Sequence, residues 1–148
     1  MTAAPFVRSV VDVIFLIGRI LFGVLFLGSS YSHLTDKGPM AEYTESRGLR
    51  PGRPLVLLTG LQILVGSVLV LLGIWIDVGA ILLALFTLST AVLMHSFWRE
   101  SETMSRYMEM VQFMKDLALC GAALILLYLA WTVDDQLPLT ITNTLFNP

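Results

Sequence analysis

Residues 54–76 run for 23 positions without one Asp, Glu, Lys or Arg. Residues 78–98 do so for 21, 117–133 for 17 and 20–35 for 16. A helix needs about 20 predominantly apolar residues to cross a hydrocarbon core of roughly 30 Å. The 20–35 run is short for a span, so its helix starts earlier, near 7–10, and carries Arg19 inside it. Four spans are expected, at about 10–31, 54–74, 78–98 and 110–131. The fold class follows: all-α, an integral membrane four-helix bundle forming one domain over 1–148. Composition agrees. The chain is 56% hydrophobic and 14% charged, where soluble domains are roughly 45–50% and about 25%. That hydrophobicity excludes disorder, and the 148 residues leave no room for a soluble catalytic domain. The first span is read as retained rather than cleaved. Asp12 and Arg19 interrupt its apolar stretch, and no small-x-small site follows Leu27.

The connections carry the charge. Residues 34–53 hold Asp36, Lys37, Glu42, Glu45, Arg47, Arg50 and Arg53. Within them, 39–48 reads as a short helix, with Pro39 in its first turn and Gly48 at its stop. Met40, Tyr43 and Thr44 give it a weak apolar face, so it is expected to lie at the membrane interface. The 73–77 turn is short enough to make spans two and three a hairpin. Residues 99–109 are charged and expected to continue helically into the fourth span, and 134–148 form a tail. Lys37, Arg47, Arg50, Arg53, Arg99 and Arg106 lie in the two long connections, and Arg8 alone lies opposite. The positive-inside rule then puts the long connections in the cytoplasm and both termini outside.

Ionisable groups at membrane depth are costly and usually face the bundle interior. Here these groups are Arg19, His95, Lys115 and Asp116, with the polar Gln62 and with His33 at the end of the first span. Arg19 lies roughly 18 Å from the cytoplasmic end of its helix, Gln62 and Asp116 roughly 12 Å. An Arg19–Asp116 ion pair with Gln62 alongside is the expectation. It ties the first helix to the fourth, binds an anionic or quinone-like head group, or serves a proton path. Lys115 is placed to snorkel to the head groups. His33 and His95 fall at the same membrane side, where they either join an aromatic belt with Tyr31 and Trp98 or ligate a b-type haem. Glycines at 18, 23, 28, 60, 66 and 73 read as close helix contacts.

Other chemistries lack their residues. Cys120 has no partner for a disulfide, a Cys-x-x-Cys pair or a multi-Cys zinc site. Met104 and Met108 stand at helical spacing that Cu(I) accepts, but flexible apolar filling is their expected role, and no metal is expected. The phosphate loop, the Gly-x-Ser-x-Gly elbow and His-Glu-x-x-His are missing. The net charge of -2 gives no reason to expect nucleic acid.

Four segments, in order, are Gly18-Arg-Ile-Leu-Phe-Gly-Val-Leu-Phe-Leu27 with Ser29-Ser-Tyr-Ser-His33; Tyr43, Gly48, Leu49 and Pro51; Gly60-Leu-Gln-Ile-Leu-Val-Gly66 on to Met94-His-Ser-Phe97; and Gln112-Phe-Met-Lys-Asp-Leu-Ala-Leu-Cys-Gly121. Their order and spacing over about 14–130 resemble the DoxX family and its DoxD-like relatives, bacterial four-helix membrane proteins. His33 stands where that family usually has Lys, Gln62 where Glu is common, and Asp116 where Asn is usual. The resemblance implies a bacterial cytoplasmic (inner) membrane location and an association with membrane redox systems, including a thiosulfate:quinone oxidoreductase. The expected function is a non-catalytic subunit or accessory protein of a quinone-linked or oxidative-stress redox complex. The alternative is a stand-alone bundle that binds or moves a small ligand or lipid through an Arg19/Gln62/Asp116 layer. Partners are the lipid bilayer and either other membrane subunits or further copies. No cofactor is required; quinone or haem b are the ones the residues would admit.

Overall fold

A computed structural model describes residues 5–36, 38–133 and 136–146. Lys37, counted above among the cytoplasmic charges, lies outside them, as do positions 134, 135, 147 and 148 of the expected tail. Regular structure among the described residues is helical throughout: α1 (Pro5–Thr35), α2 (Pro39–Ser46), α3 (Gly52–Leu72), α4 (Ile76–Leu93), a 3-10 turn (Phe97–Arg99) and α5 (Thr103–Val133). In lipid a backbone must satisfy its own hydrogen bonds, and long helices do so. Four of these helices are long and apolar enough to cross a membrane. Their outer faces show large aliphatic side chains, such as Leu21, Leu58 and Ile125, that are mostly exposed. Small or compact residues fill the centre, with Ala80, Ala123, Ala130, Ile63 and Leu83 fully buried.

α1 packs on α3, α3 on α4 and α4 on α5. α1 and α5 stand apart, flanking an apolar crevice of about 360 Å³ between Phe15, Phe22, Ala122 and Leu126. The close approach of α1 to α3 depends on Gly60. A β-carbon there would sit 2.8 Å from His33 Cβ, and the Gly60 carbonyl accepts the Ser30 hydroxyl at 3.0 Å.

α3 ends at Gly73, whose φ of 68° places it in the left-handed region. Gly73 and Ile74 N–H groups return to the Val70 and Leu69 carbonyls, which closes the last turn of α3 as such glycine stops do. α4 ends at Leu93 rather than continuing as helix to 98. The chain leaves the helix because Phe97 and Trp98 both make edge contacts with Phe113 of α5, at ring-centre distances of 5.4 and 5.7 Å. α5 begins at Thr103, so most of the charged 99–109 connection runs helically into the fourth span as expected, with the Glu102 carboxylate accepting the Met104 and Ser105 N–H groups.

α2 packs on α3 through Ala41 and Thr44, so this helix roofs one end of the bundle. Its first turn is closed by Asp36. That carboxylate accepts N–H groups of Gly38 and Met40 at 3.1 Å and of Ala41 at 3.3 Å. Desolvation raises the Asp36 pKa, but these amides and His33 outweigh it and hold it below 3.8. A depressed folded pKa contributes stability above the unfolded value, and that contribution is lost as pH falls through the folded one. Amide protection at Met40 and Ala41 should therefore weaken below about pH 3.8. Hydrogen exchange of Asp36→Ala at neutral pH should already show the weakened state. Equal protection in variant and wild type would remove the cap from this account.

Candidate functional site

At the α2 end of the bundle the helices enclose a cavity of about 590 Å³. α1 contributes His33 to its wall, α2 Tyr43 and Thr44, α3 Thr59 and Gln62, α4 Thr87 and Thr90, and α5 Lys115 and Asp116. His95 enters from just beyond α4, and the rest of the wall is largely apolar. Five of the side chains singled out from the sequence thus share one space: His33, Gln62, His95, Lys115 and Asp116.

Arg19 does not join them, and it does not pair with Asp116. Its Nε donates to the Val70 carbonyl at 3.0 Å, Nη2 to Leu71 at 2.8 Å and Nη1 to Leu139 at 2.8 Å. These acceptors lie at the C-terminal end of α3 and in the segment after α5, at the far end from α2. The physical reason is side-chain direction. Helical side chains lean toward their own N-terminus, and for Arg19 that direction leads away from Asp116. The carbonyl-rich negative end of α3 takes the place of the expected acid. Beside it Asp77, fully buried, accepts the N–H groups of Leu145 and Phe146. Ile141 N–H bonds the Gly73 carbonyl at 2.8 Å. Arg19 and Asp77 together pin the segment 136–146 across the α3–α4 turn.

Asp116 lies instead beside His95 and Lys115. The Asp116 side chain is 7% exposed; Oδ1 is 3.3 Å from Lys115 Nζ, and Oδ2 is 3.7 Å from His95 Nε2. The second separation is too long for a hydrogen bond, and Asp116 Oδ2 has no hydrogen-bond partner. Lys115 is half exposed and donates to Gln112 Oε1 at 2.7 Å. His95 Nδ1 meets Glu109 Oε2 at 2.8 Å. Glu109 Oε1 accepts the Tyr43 hydroxyl at 2.8 Å and pairs with Arg47 Nη2 at 2.8 Å. Arg47 Nη1 continues to Glu100 Oε1 at 2.6 Å. One network of charged and polar groups therefore runs from the loop after α4 to the cavity wall, and it fastens the α2 roof to α5. Burial lowers the Arg47 pKa, but its bonds to Tyr43 and Glu100 more than offset this and raise it. Burial, with Glu109 adding to it, pushes the Tyr43 phenol up.

The sequence reading passed over Glu109 and Asp77, and used Arg47 only as a loop charge. Glu109 falls in the charged run that opens α5, where nothing in the chain pattern separates an inward carboxylate from a solvated one. A lone acid in the first turn of α4 was the available signal for Asp77. His33 stands against Phe86, its Nδ1 2.8 Å from the Ser29 carbonyl. Gln62 Nε2 donates to the Leu82 carbonyl at 2.9 Å.

Fold and site together define a four-span membrane bundle with a polar-floored cavity at its α2 end. Residues 14–96 match the DoxX family, more than half of the chain, and the protein belongs to that family. It is similar to the inner membrane protein YqjF of Escherichia coli strain K12, 32% identical over 121 residues, covering 80% of this chain and 85% of that protein. No solved structure matches. The family match ends at Ser96, so the α5 segment carrying Lys115 and Asp116 lies outside it.

Proposed function

We propose that the protein is a ligand-binding bundle of the bacterial inner membrane, holding one small amphipathic molecule in the α2-side cavity. The observation that carries this reading is Asp116: a buried carboxylate with one oxygen unpartnered, on the wall of a cavity of about 590 Å³. Small-molecule sites are typically about 300–1,000 Å³, mostly apolar, with a few convergent polar groups. Buried polar atoms without partners are uncommon, and a ligand head group would supply the missing one. The long connections carry most of the Lys and Arg, which favours the cavity on the cytoplasmic side and both termini outside.

The accessory role in a quinone-linked or oxidative-stress redox complex is a narrower form of this reading, supported by the family resemblance. A quinol, the reduced form of a quinone, is an amphipathic molecule of the right kind with hydroxyls on its head, and a redox partner would share it.

The test is capture of the protein from native membrane into nanodiscs, followed by mass spectrometry of the retained small molecules. Thr90→Trp places an indole in the cavity. A compound enriched on wild type and depleted at least about fivefold on Thr90→Trp, at unchanged helix content, is the expected result. Identical small-molecule content in the two samples would overturn the reading. Stoichiometric redox proteins in the wild-type sample would support the narrower form.

A further inference from the structure

We infer that the ligand presents a hydrogen-bond donor to this cavity, a hydroxyl or an ammonium head, rather than a carboxylate or phosphate. This rests on the cavity being a ligand site. The inference comes from asking where each hydrogen on the polar wall is already committed.

His33 Nδ1 faces the Ser29 carbonyl, which only accepts, so a ring hydrogen sits there, and in that tautomer Nε2 carries the lone pair. Gln62 is held in the same sense. Its NH₂ donates to the Leu82 carbonyl, which leaves Oε1 as the end without a protein partner among the described residues. Thr59 and Thr87 donate their hydroxyl hydrogens to carbonyls of their own helices, at 2.9 and 2.8 Å. The oxygens that remain are acceptors. Asp116 completes the set with its unpartnered Oδ2. Acceptors from four helices thus line one space.

The donors are fewer. His95 has Nδ1 on Glu109 and Nε2 3.7 Å from Asp116 Oδ2, so both of its ring nitrogens already face carboxylates. Lys115 Nζ is half exposed and already shared between Gln112 and Asp116. Arg47 does not line the cavity; its two Nη groups are occupied by Glu100, Glu109 and the Tyr43 oxygen, and its unpartnered Nε stays outside that wall. Ser29, Ser89 and Thr90 have hydroxyls that rotate to serve either role. An anionic head would meet the Asp116 carboxylate and the lone pairs of His33 and Gln62, with one solvated ammonium, an imidazole already flanked by two carboxylates and three neutral hydroxyls to set against them. A donor head meets partners throughout.

The experiment uses three probes of one shape: 3-phenylpropylamine, 3-phenylpropanol and 3-phenylpropionate. Each is titrated calorimetrically against the full chain in nanodiscs and against empty nanodiscs. The amine and the alcohol should bind at least about tenfold tighter than the carboxylate, the worth of a hydrogen bond to a charged group. Asp116→Asn should erase most of the amine's advantage. Gln62→Met, on a different helix, should weaken the alcohol about threefold to tenfold and provides the reading if Asp116→Asn does not fold. A carboxylate that binds as well as the amine, or a ranking untouched by both variants, overturns the inference and leaves the ligand site standing. Failure of all three probes to bind above the empty-nanodisc background counts against the ligand site itself, and this inference falls with it. A preference for the amine over the alcohol identifies the head as cationic, and the reverse identifies a neutral hydroxyl.

Discussion

Arg19→Met is expected to destabilise the protein by roughly 4 kcal/mol and to release the segment 136–146 from the bundle. The side chain is almost fully buried, at 3% exposure, and its three nitrogens serve three backbone carbonyls at 2.8–3.0 Å. A hydrogen bond to a charged group contributes about 1.5–3 kcal/mol. The sum is reduced because water reaches the Leu139 end once the segment loosens. Lysine is not a substitute, since one ammonium cannot reproduce the guanidinium fork that reaches α3 and the tail together, and Arg19→Lys should recover less than half of the loss. Reversible unfolding in mixed micelles measures the first effect and limited proteolysis near Leu139 the second. The same variant decides between the expected ion pair and the observed geometry. Arg19 and Asp116 share no partner and line different cavities, so Arg19→Met and Asp116→Leu should be additive within about 0.5 kcal/mol. A larger coupling would contradict the arrangement described above. Retention of the segment and of stability in Arg19→Met would show that other contacts hold that end.

The spans were legible because lipid leaves a chain so few options: a charge-free run of 21 or 23 residues has one use. The candidate site was half legible. His33, Gln62, His95, Lys115 and Asp116 stood out because polar groups at depth are costly, and the fold collects all five. Arg19 stood out for the same reason and belongs elsewhere. Depth along a helix axis places a Cα, whereas the partner depends on the lean of the side chain and on which neighbour offers acceptors. For Arg19 the neighbour was backbone, which has no signature in the sequence. Glu109 shows the opposite failure. It is adjacent to the membrane and sits among Glu102, Arg106 and Tyr107, so its inward contact with His95 depends on the helix of residues 103–133 turning that face to the loop after α4. The stop of α4 at Leu93 was hidden similarly, since residues 94–98 continue the run without Asp, Glu, Lys or Arg. An aromatic cluster with Phe113, distant in the chain, draws them out of line.

Glu109→Ala should cost roughly 2–3 kcal/mol and loosen the α2 roof before it unfolds the bundle. One carboxylate here receives the Tyr43 hydroxyl, an Arg47 nitrogen and His95 Nδ1, each at 2.8 Å. Removing one partner from a fully buried ion pair costs about 3–5 kcal/mol, because the remaining charge is left uncompensated. The Glu109 and His95 side chains are 17% exposed, and Glu100 still holds Arg47, so a smaller figure applies. The loss has a direction. Tyr43 and Arg47 reach the rest of the molecule from the α2 segment, so their release frees that segment while α3, α4 and α5 keep their core. Hydrogen exchange at Thr44 and Glu45 should then accelerate at least about tenfold in Glu109→Ala, with the α4 amides unchanged. Glu109→Gln keeps one acceptor oxygen, for Tyr43 or for His95, and drops the charge facing Arg47, so it should fall midway. If Glu109→Ala changes stability by under about 0.5 kcal/mol, the pair behaves like an exposed one and the roof is held by Ala41 and Thr44 packing alone. If it loosens α2 and raises probe affinity, the network gates entry to the cavity. If affinity falls along with α2 protection, the network shapes the wall the ligand touches.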